Sequence, residues 1–206
     1  MNLATSEYRQ GKPTFLRWMR GEVLHFAWRC GLYHPPDRRV LEHYILGSLA
    51  SAPAIKRVLF VGVQWYTKNY SARFEGKIFA TIDPRPSVVR FGGNPHKIGR
   101  IQDLSEHFPQ PAFDAIIING VIGFGLNNVA DVNSALDACR NALRHDGWLI
   151  LGINELAMYH IDPAKYAASR FFESCEFGAN ARERIDIVIP FLEQRHTYLF
   201  WRKKNR

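Results

Sequence analysis

Cysteine is scarce in this sequence: Cys30, Cys139 and Cys175 are an odd number among 206 residues, with no Cys-x-x-Cys pair. That excludes a disulfide scaffold, argues against a structural zinc site, and leads to the expectation of a reducing, cytoplasmic setting. Long apolar runs are missing too. The longest, Val58–Val63 and Ala115–Ile118, fall far short of a bilayer span, so no membrane attachment is expected. Met1 to Lys12 is polar and lacks the apolar stretch followed by small residues that a secretory signal requires. His25, Cys30 and His34 fit no common zinc spacing, and no metal is expected. No Gly-x-Ser-x-Gly elbow and no ordered Cys/His arrangement is present, which disfavours hydrolase chemistry. RNP-like, zinc-finger and Arg-rich helical motifs are absent, so nucleic acid is not an expected partner.

What is present is an ordinary globular composition, 47% hydrophobic and 22% charged, in a chain long enough to bury one core. The net charge of +8 is unevenly placed. Residues 1–57 hold nine Lys/Arg against four Asp/Glu, and Arg195 to Arg206 hold five against none; the stretch between is nearly neutral. Basic ends of this kind either keep a protein soluble or attract an acidic carrier or a phosphorylated ligand through long-range fields. Composition leaves both open.

Periodicity divides the chain. Phe15, Leu16, Met19, Val23, Phe26 and Ala27 recur at three- and four-residue spacing, which predicts a helix after Pro13 that ends at Gly31 and Pro35-Pro36. Val40, Leu41, Tyr44 and Ile45 mark a second helix over Arg38–Leu49. Residues 1–52 read as a helical extension, a lid or a homodimer surface, ahead of an α/β domain over 53–206. Strands are expected at Arg57–Val61, Ile78–Ile82, Lys97–Ile101, Ala115–Ile118, Trp148–Leu151, Arg184–Ile189 and Thr197–Trp201. Continuous apolar runs of this length suit strands covered on both faces of a parallel sheet. Helices are expected over Asp131–Leu143, capped by Asp131, and over Pro163–Phe172. The last two strands lie too close in sequence for a crossover helix and form an antiparallel hairpin. The expected fold is α/β: a doubly wound, mostly parallel, Rossmann-like seven-stranded sheet with a C-terminal antiparallel hairpin and an N-terminal helical extension.

Such sheets bind ligands at the carboxyl ends of strands, near the switch in strand order. After the first strand stands Gly62 alone, with Gln64 and Tyr66 where a dinucleotide motif carries further glycines, so a pyrophosphate is disfavoured. Asp83, 21 positions beyond Gly62 and stopped by Pro84, suits the hydroxyls of an adenosine ribose; capping of the next turn is the other reading. Asp103, with Gln102, can accept from an adenine amine while Ile101 or Leu104 covers the ring, or it caps a short helix over Leu104–His107. Asn119 follows a buried strand and precedes three glycines in six residues, Gly120, Gly123 and Gly125, which let backbone approach a ligand. Trp65, Tyr66 and Tyr70 either offer aromatic faces to a cation or pack on the sheet.

Taken in order, these segments resemble the class I S-adenosylmethionine-dependent methyltransferase family. Val58-Leu59-Phe60-Val61-Gly62 is similar to its first motif, Asp83 to its ribose-binding acid and Gln102-Asp103-Leu104 to its adenine-side motif. Phe113 to Ile118 is similar to its fourth strand, and Ala142 to Leu151 to the passage into its fifth. Phe60, Gln64, Tyr66 and His145-Asp146-Gly147 depart from the family's usual residues at their positions. The resemblance implies S-adenosyl-L-methionine as cofactor, held by Gly62, Gln64, Trp65, Tyr66, Asp83, Gln102, Asp103, Asn119 and Gly120. It also implies methyl transfer to a small-molecule oxygen, nitrogen or carbon. Asn119 would lie by the reactive carbon, with Glu155, His160 and Asp162 as candidate bases. Two rivals stand beside it: a non-methylating cyclase or lyase acting on the aminocarboxypropyl chain, and a non-catalytic binding protein of the same fold.

Overall fold

The computed structural model describes residues 15–156, 162–190 and 194–204. A first helix, α1 (Phe15–Arg29), precedes a continuous helical stretch formed by α2 (Pro36–Arg39), a π turn (Val40–Ile45) and α3 (Leu46–Ser51). Pro36 stands at the first turn, where its missing N–H costs nothing. Then come β1 (Arg57–Val61), β2 (Ile78–Asp83), β3 (His96–Ile98), α4 (Leu104–His107), β4 (Phe113–Asn119), α5 (Val129–Ala142) and β5 (Leu143–Leu156). The chain closes with β6 (Phe172–Ser174), β7 (Arg184–Ile189) and β8 (Gln194–Lys203).

The strands form one sheet in the order β3-β2-β1-β4-β5-β8-β6, with β7 also paired to β8. β1 to β5 are mutually parallel, and β8 runs antiparallel to β5, β6 and β7. β6 and β7 lie end to end along the outer edge of β8, pairing with its C-terminal and N-terminal parts respectively. The edge expected as one strand is therefore two, and the sheet has eight strands rather than seven. The apolar runs of β1 and β4 are buried on both faces. Leu59, Val61, Ile116 and Ile118 pack against α4 and α5, whereas Val58, Phe60, Ala115 and Ile117 pack against Leu41, Ile45, Leu46 and Leu49 from the N-terminal helices. Among the described residues no helix is long and apolar enough to cross a membrane, and no cluster of His, Cys, Asp and Glu could hold a metal ion.

Four expectations need correction. The third strand is shorter and earlier, and Ile101–Asp103 is a 3-10 turn. Residues 163–172 form two 3-10 turns leading into β6, because Tyr166 breaks the helix with extended backbone. The helix over 131–143 begins two residues sooner, with Asn128 as its cap: Asn128 Oδ1 accepts from the Asp131 N–H at 2.8 Å. The stripe on α1 does not face a core; Met19, Val23 and Phe26 are 42%, 65% and 68% exposed.

Candidate functional site

The strand order reverses between β1 and β4, and their carboxyl ends open onto a cleft of about 600 Å³. At the end of β1, Gly62 has φ +85°, and a Cβ there would meet Val121 Cγ2 at 2.9 Å, so the turn needs glycine for conformation and for space. No α-helix follows. Gln64 and Trp65–Thr67 close a 3-10 turn in which the Gln64 N–H donates to Thr67 Oγ1 at 3.3 Å and the Thr67 N–H to the Gln64 carbonyl at 2.9 Å. Those N–H groups, which a phosphate would need at a helix start, are consumed within the turn.

Asp83 ends β2 at 3% exposure. Its Oδ2 accepts from the Val63 N–H at 2.8 Å and from Arg85 Nη2 at 2.9 Å; its Oδ1 accepts from the Arg85 N–H and Nε, both at 2.9 Å. Burial alone would raise its pKa, but the Arg85 side chain and the two backbone N–H groups outweigh burial and hold the carboxyl below its usual range. A carboxylate offers about four lone-pair sites, and here each is engaged. Arg85 also donates to the Val63 carbonyl at 2.7 Å, yet its side chain is 49% exposed and free to swing outward. Any further donor reaches Asp83 only where that guanidinium gives way.

Of the other residues singled out in the sequence, Gln64, Tyr66, Gln102, Asn119 and Gly120 line the same cleft, together with Ile101, Leu126 and Asn154. Gln102 Nε2 and Asn119 Oδ1 are buried without a hydrogen-bond partner. Gly120, at φ +67°, donates its N–H to the Gly152 carbonyl at 2.8 Å, which pins the turn after β4 to β5. Trp65 and Asp103 are not among the lining residues. Trp65 packs on Trp28 with ring centroids 4.8 Å apart. Asp103 makes no side-chain cap to α4. Tyr70 is buried, packs edge-on against Phe60 and donates its hydroxyl to Glu42 Oε1 at 3.0 Å. Asp162 caps a 3-10 turn through the Ala164 N–H at 3.1 Å. Glu155 lies on β5 opposite Arg195, its side chain outside the described residues, as is all of His160.

Two residues of the site carried no sequence signal. Arg38, one of nine bases in the first 57 residues, is 8% exposed and lines the cleft. Its Nη2 donates to the Tyr66 hydroxyl at 3.2 Å, its guanidinium stands 4.4 Å from the centre of that ring, and its Nη1 has no partner. The face of Tyr66 stacks on Trp28 at 4.6 Å, so α1 is docked onto the loop after β1. His196, on β8, is wholly buried behind Asn154, with Nδ1 2.5 Å from Asn154 Oδ1. Burial first, and the Arg38 charge second, push its pKa down to about 3, so the ring is neutral. A lone His in a terminal strand shows neither its burial nor its neighbours from sequence.

No protein-family model and no curated protein matches the sequence. Solved structures do match. The N-methyltransferase NodS from Bradyrhizobium japonicum WM9, in complex with S-adenosyl-L-homocysteine, superimposes with a TM-score of 0.60 at 15% identity, over 92% of this chain and 100% of that one. The 1,6-didemethyltoxoflavin-N1-methyltransferase of Burkholderia thailandensis, with bound 1,6-didemethyltoxoflavin and S-adenosylhomocysteine, gives 0.57 at 14% identity over 100% and 99%. A TehB-like SAM-dependent methyltransferase from Corynebacterium glutamicum ATCC 13032 gives 0.57 at 16% over 91% and 98%. The likeness is one of fold, and it spans nine-tenths or more of each chain.

Proposed function

We propose that this chain is an S-adenosylmethionine-dependent methyltransferase acting on a small-molecule acceptor. Asp83 carries the reading: a buried, ionised carboxylate at the end of β2, beside a cleft at the switch in strand order whose first turn offers no phosphate-binding helix end. The donors and acceptors around the cleft fit the cofactor. Asp83 suits the ribose hydroxyls once Arg85 has moved, and Gln102 has a spare amide nitrogen for the adenine edge, with Ile101 and Leu126 as apolar cover. Arg38 has a free guanidinium nitrogen for a carboxylate. Asn119 and Gly120 border the same cleft at the end of β4.

When bound, the cofactor supplies an electrophilic methyl carbon. The chain's own task is alignment and exclusion of water, the two requirements for displacement at such a carbon. The stack of Trp28 on Tyr66, which lines the cleft, supports a lid role for α1. The rings considered as faces for a cation are engaged within the protein: Tyr66 by Arg38 and Trp28, Trp65 by Trp28, Tyr70 by Phe60. Hydrogen bonding and shape, rather than an aromatic cage, therefore hold the ligand.

Calorimetry tests the reading. S-adenosylhomocysteine should bind with one-to-one stoichiometry, whereas NAD and ATP should give no heat. Absence of S-adenosylhomocysteine binding, or preference for NAD, overturns it.

A further inference from the structure

Behind the cleft wall, β4, β5 and β8 run side by side. Their register sets Asn119 opposite Gly152, Gly152 opposite Tyr198 and Asn154 opposite His196. Alternation along the strands puts all five on one face of the sheet. Gly152 leaves a gap in that face: a Cβ there would lie 2.1 Å from Asn119 Oδ1 and 2.9 Å from His196 Nε2. These two atoms crowd the space of one methyl group. Both are buried, and neither has a hydrogen-bond partner.

The chemistry of the atoms makes this a conflict. An amide oxygen only accepts, so the 2.5 Å contact of Asn154 Oδ1 with His196 Nδ1 puts the ring proton on Nδ1 and leaves a lone pair on Nε2. Asn119 Oδ1 is also an acceptor. Two buried acceptors that border one gap with no donor between them forfeit the hydration of both and gain nothing. A half-turn of the Asn119 amide about χ2 resolves the conflict, since the two ends of the amide are nearly equal in size. Its nitrogen then donates to Nε2, and its oxygen turns to the cleft that Asn119 already lines.

We propose that His196 is a positioning residue: anchored through Nδ1 on Asn154, it holds the Asn119 amide by its N–H so that Oδ1 faces the cleft as a fixed acceptor for the N–H of an amine substrate. This inference rests on the methyltransferase reading and names the substrate class it leaves open. An oxygen at the cleft wall binds a nucleophile that carries hydrogen and leaves that atom's lone pair for the methyl carbon. The opposite amide orientation would place donors there and tie the lone pair up. Among the described residues that line the cleft, Asp83 is the sole carboxylate and is paired with Arg85; behind them His196 Nδ1 is held by Asn154, and in the proposed arrangement its Nε2 accepts from Asn119. No described group is free to deprotonate a hydroxyl. A neutral amine needs none: the N–CH3 bond forms as the C–S bond breaks, its electron pair goes to sulfur, and the resulting ammonium sheds one proton to solvent.

The test uses sinefungin, a cofactor analogue with C–NH3+ in place of S–CH3, so that N–H donors occupy the position of the transferred methyl. Calorimetry on the full chain should show sinefungin binding about tenfold tighter than S-adenosylhomocysteine, the equivalent of one charge-assisted hydrogen bond. His196→Leu and Asn119→Ala should bring that ratio to near one, and His196→Gln, which keeps an acceptor for the Asn119 N–H, should restore it. A ratio that is the same in the wild type and in His196→Leu overturns the proposal while leaving the methyltransferase reading intact. Loss of S-adenosylhomocysteine binding in the wild type removes both. Nitrogen-15 spectra of the wild-type imidazole give a readout free of any variant: the Nδ1–H tautomer, unchanged from pH 5 to 8, is expected, and an Nε2–H tautomer sinks the proposal.

Discussion

Asp83 and Arg85 define the energetics of the site at the scale of single residues. The carboxylate is ionised because it is hydrogen-bonded, and it is hydrogen-bonded chiefly to a side chain two residues away that solvent can reclaim. Replacing Asp83 by Ala should weaken S-adenosylhomocysteine binding by about 1–3 kcal/mol, as expected for loss of a charged acceptor; an unchanged titration would withdraw the ribose assignment. Arg85→Ala separates two roles of the guanidinium. If Arg85 only occupies the carboxylate, its removal frees lone pairs and the affinity rises; a fall in affinity would mean that the guanidinium itself contacts the nucleoside. The residue pattern Gly62…Asp83 was legible in the sequence because a strand end and its following turn are local. Arg38 and His196 were not, because what matters about each is what lies beside it, and their neighbours Tyr66 and Asn154 are 28 and 42 positions away.

Elements differ in how much of their character is local. β1, β2 and β4 were readable to within a residue or two, since an apolar run buried on both faces advertises itself, and β7 was readable from its alternation of polar and apolar residues. β6 was not, because three residues on a sheet edge gain their identity only from pairing with β8. The lid reading of α1 makes a prediction of its own. Trp28→Ala removes the stack on Tyr66 and should lower S-adenosylhomocysteine affinity by about 0.5–1.5 kcal/mol, the worth of an aromatic pair, with little change in melting temperature. A large drop in melting temperature with unaltered affinity would make α1 structural instead. On β5, Gly152→Ala places a Cβ 2.1 Å from Asn119 Oδ1 and should cost about 1–3 kcal/mol by overpacking, read from the urea midpoint.

Across the whole molecule, the basic ends turn partly inward. Arg38 points into the cleft, Lys203 Nζ donates to the Leu143 carbonyl at 2.6 Å, Lys204 Nζ to that of Arg170 at 2.9 Å, and Arg202 to that of Asp146. Three of the five basic residues from Arg195 to Arg206 thus tie down the end of β8. Buried His196 makes global stability depend on pH. Its folded pKa of about 3 lies below the ordinary value of 6.5, so the unfolded chain takes up a proton that the folded chain refuses. Its contribution is complete above pH 6.5 and is lost as pH falls toward 3, with a limiting slope of about 1.4 kcal/mol per pH unit. His96, also depressed by burial, adds the same sign, whereas Asp83 acts only at lower pH, below the ordinary carboxylate range. Urea titrations between pH 6 and 4 should show this loss, and His196→Gln should flatten it; an equal slope in the variant would refute the assignment.

The order of β1 to β5, their parallel core, the closing hairpin and the glycine-poor turn after β1 were set by the sequence alone, because each follows from side-chain pattern within a dozen neighbouring residues. The docking of α1 on Tyr66, the passage of Arg38 into the cleft and the meeting of Asn119, Asn154 and His196 over Gly152 were decided by tertiary structure. These are contacts between atoms that only folding brings within a hydrogen bond's reach, and the dehydration that gives them their strength exists only once the core has closed.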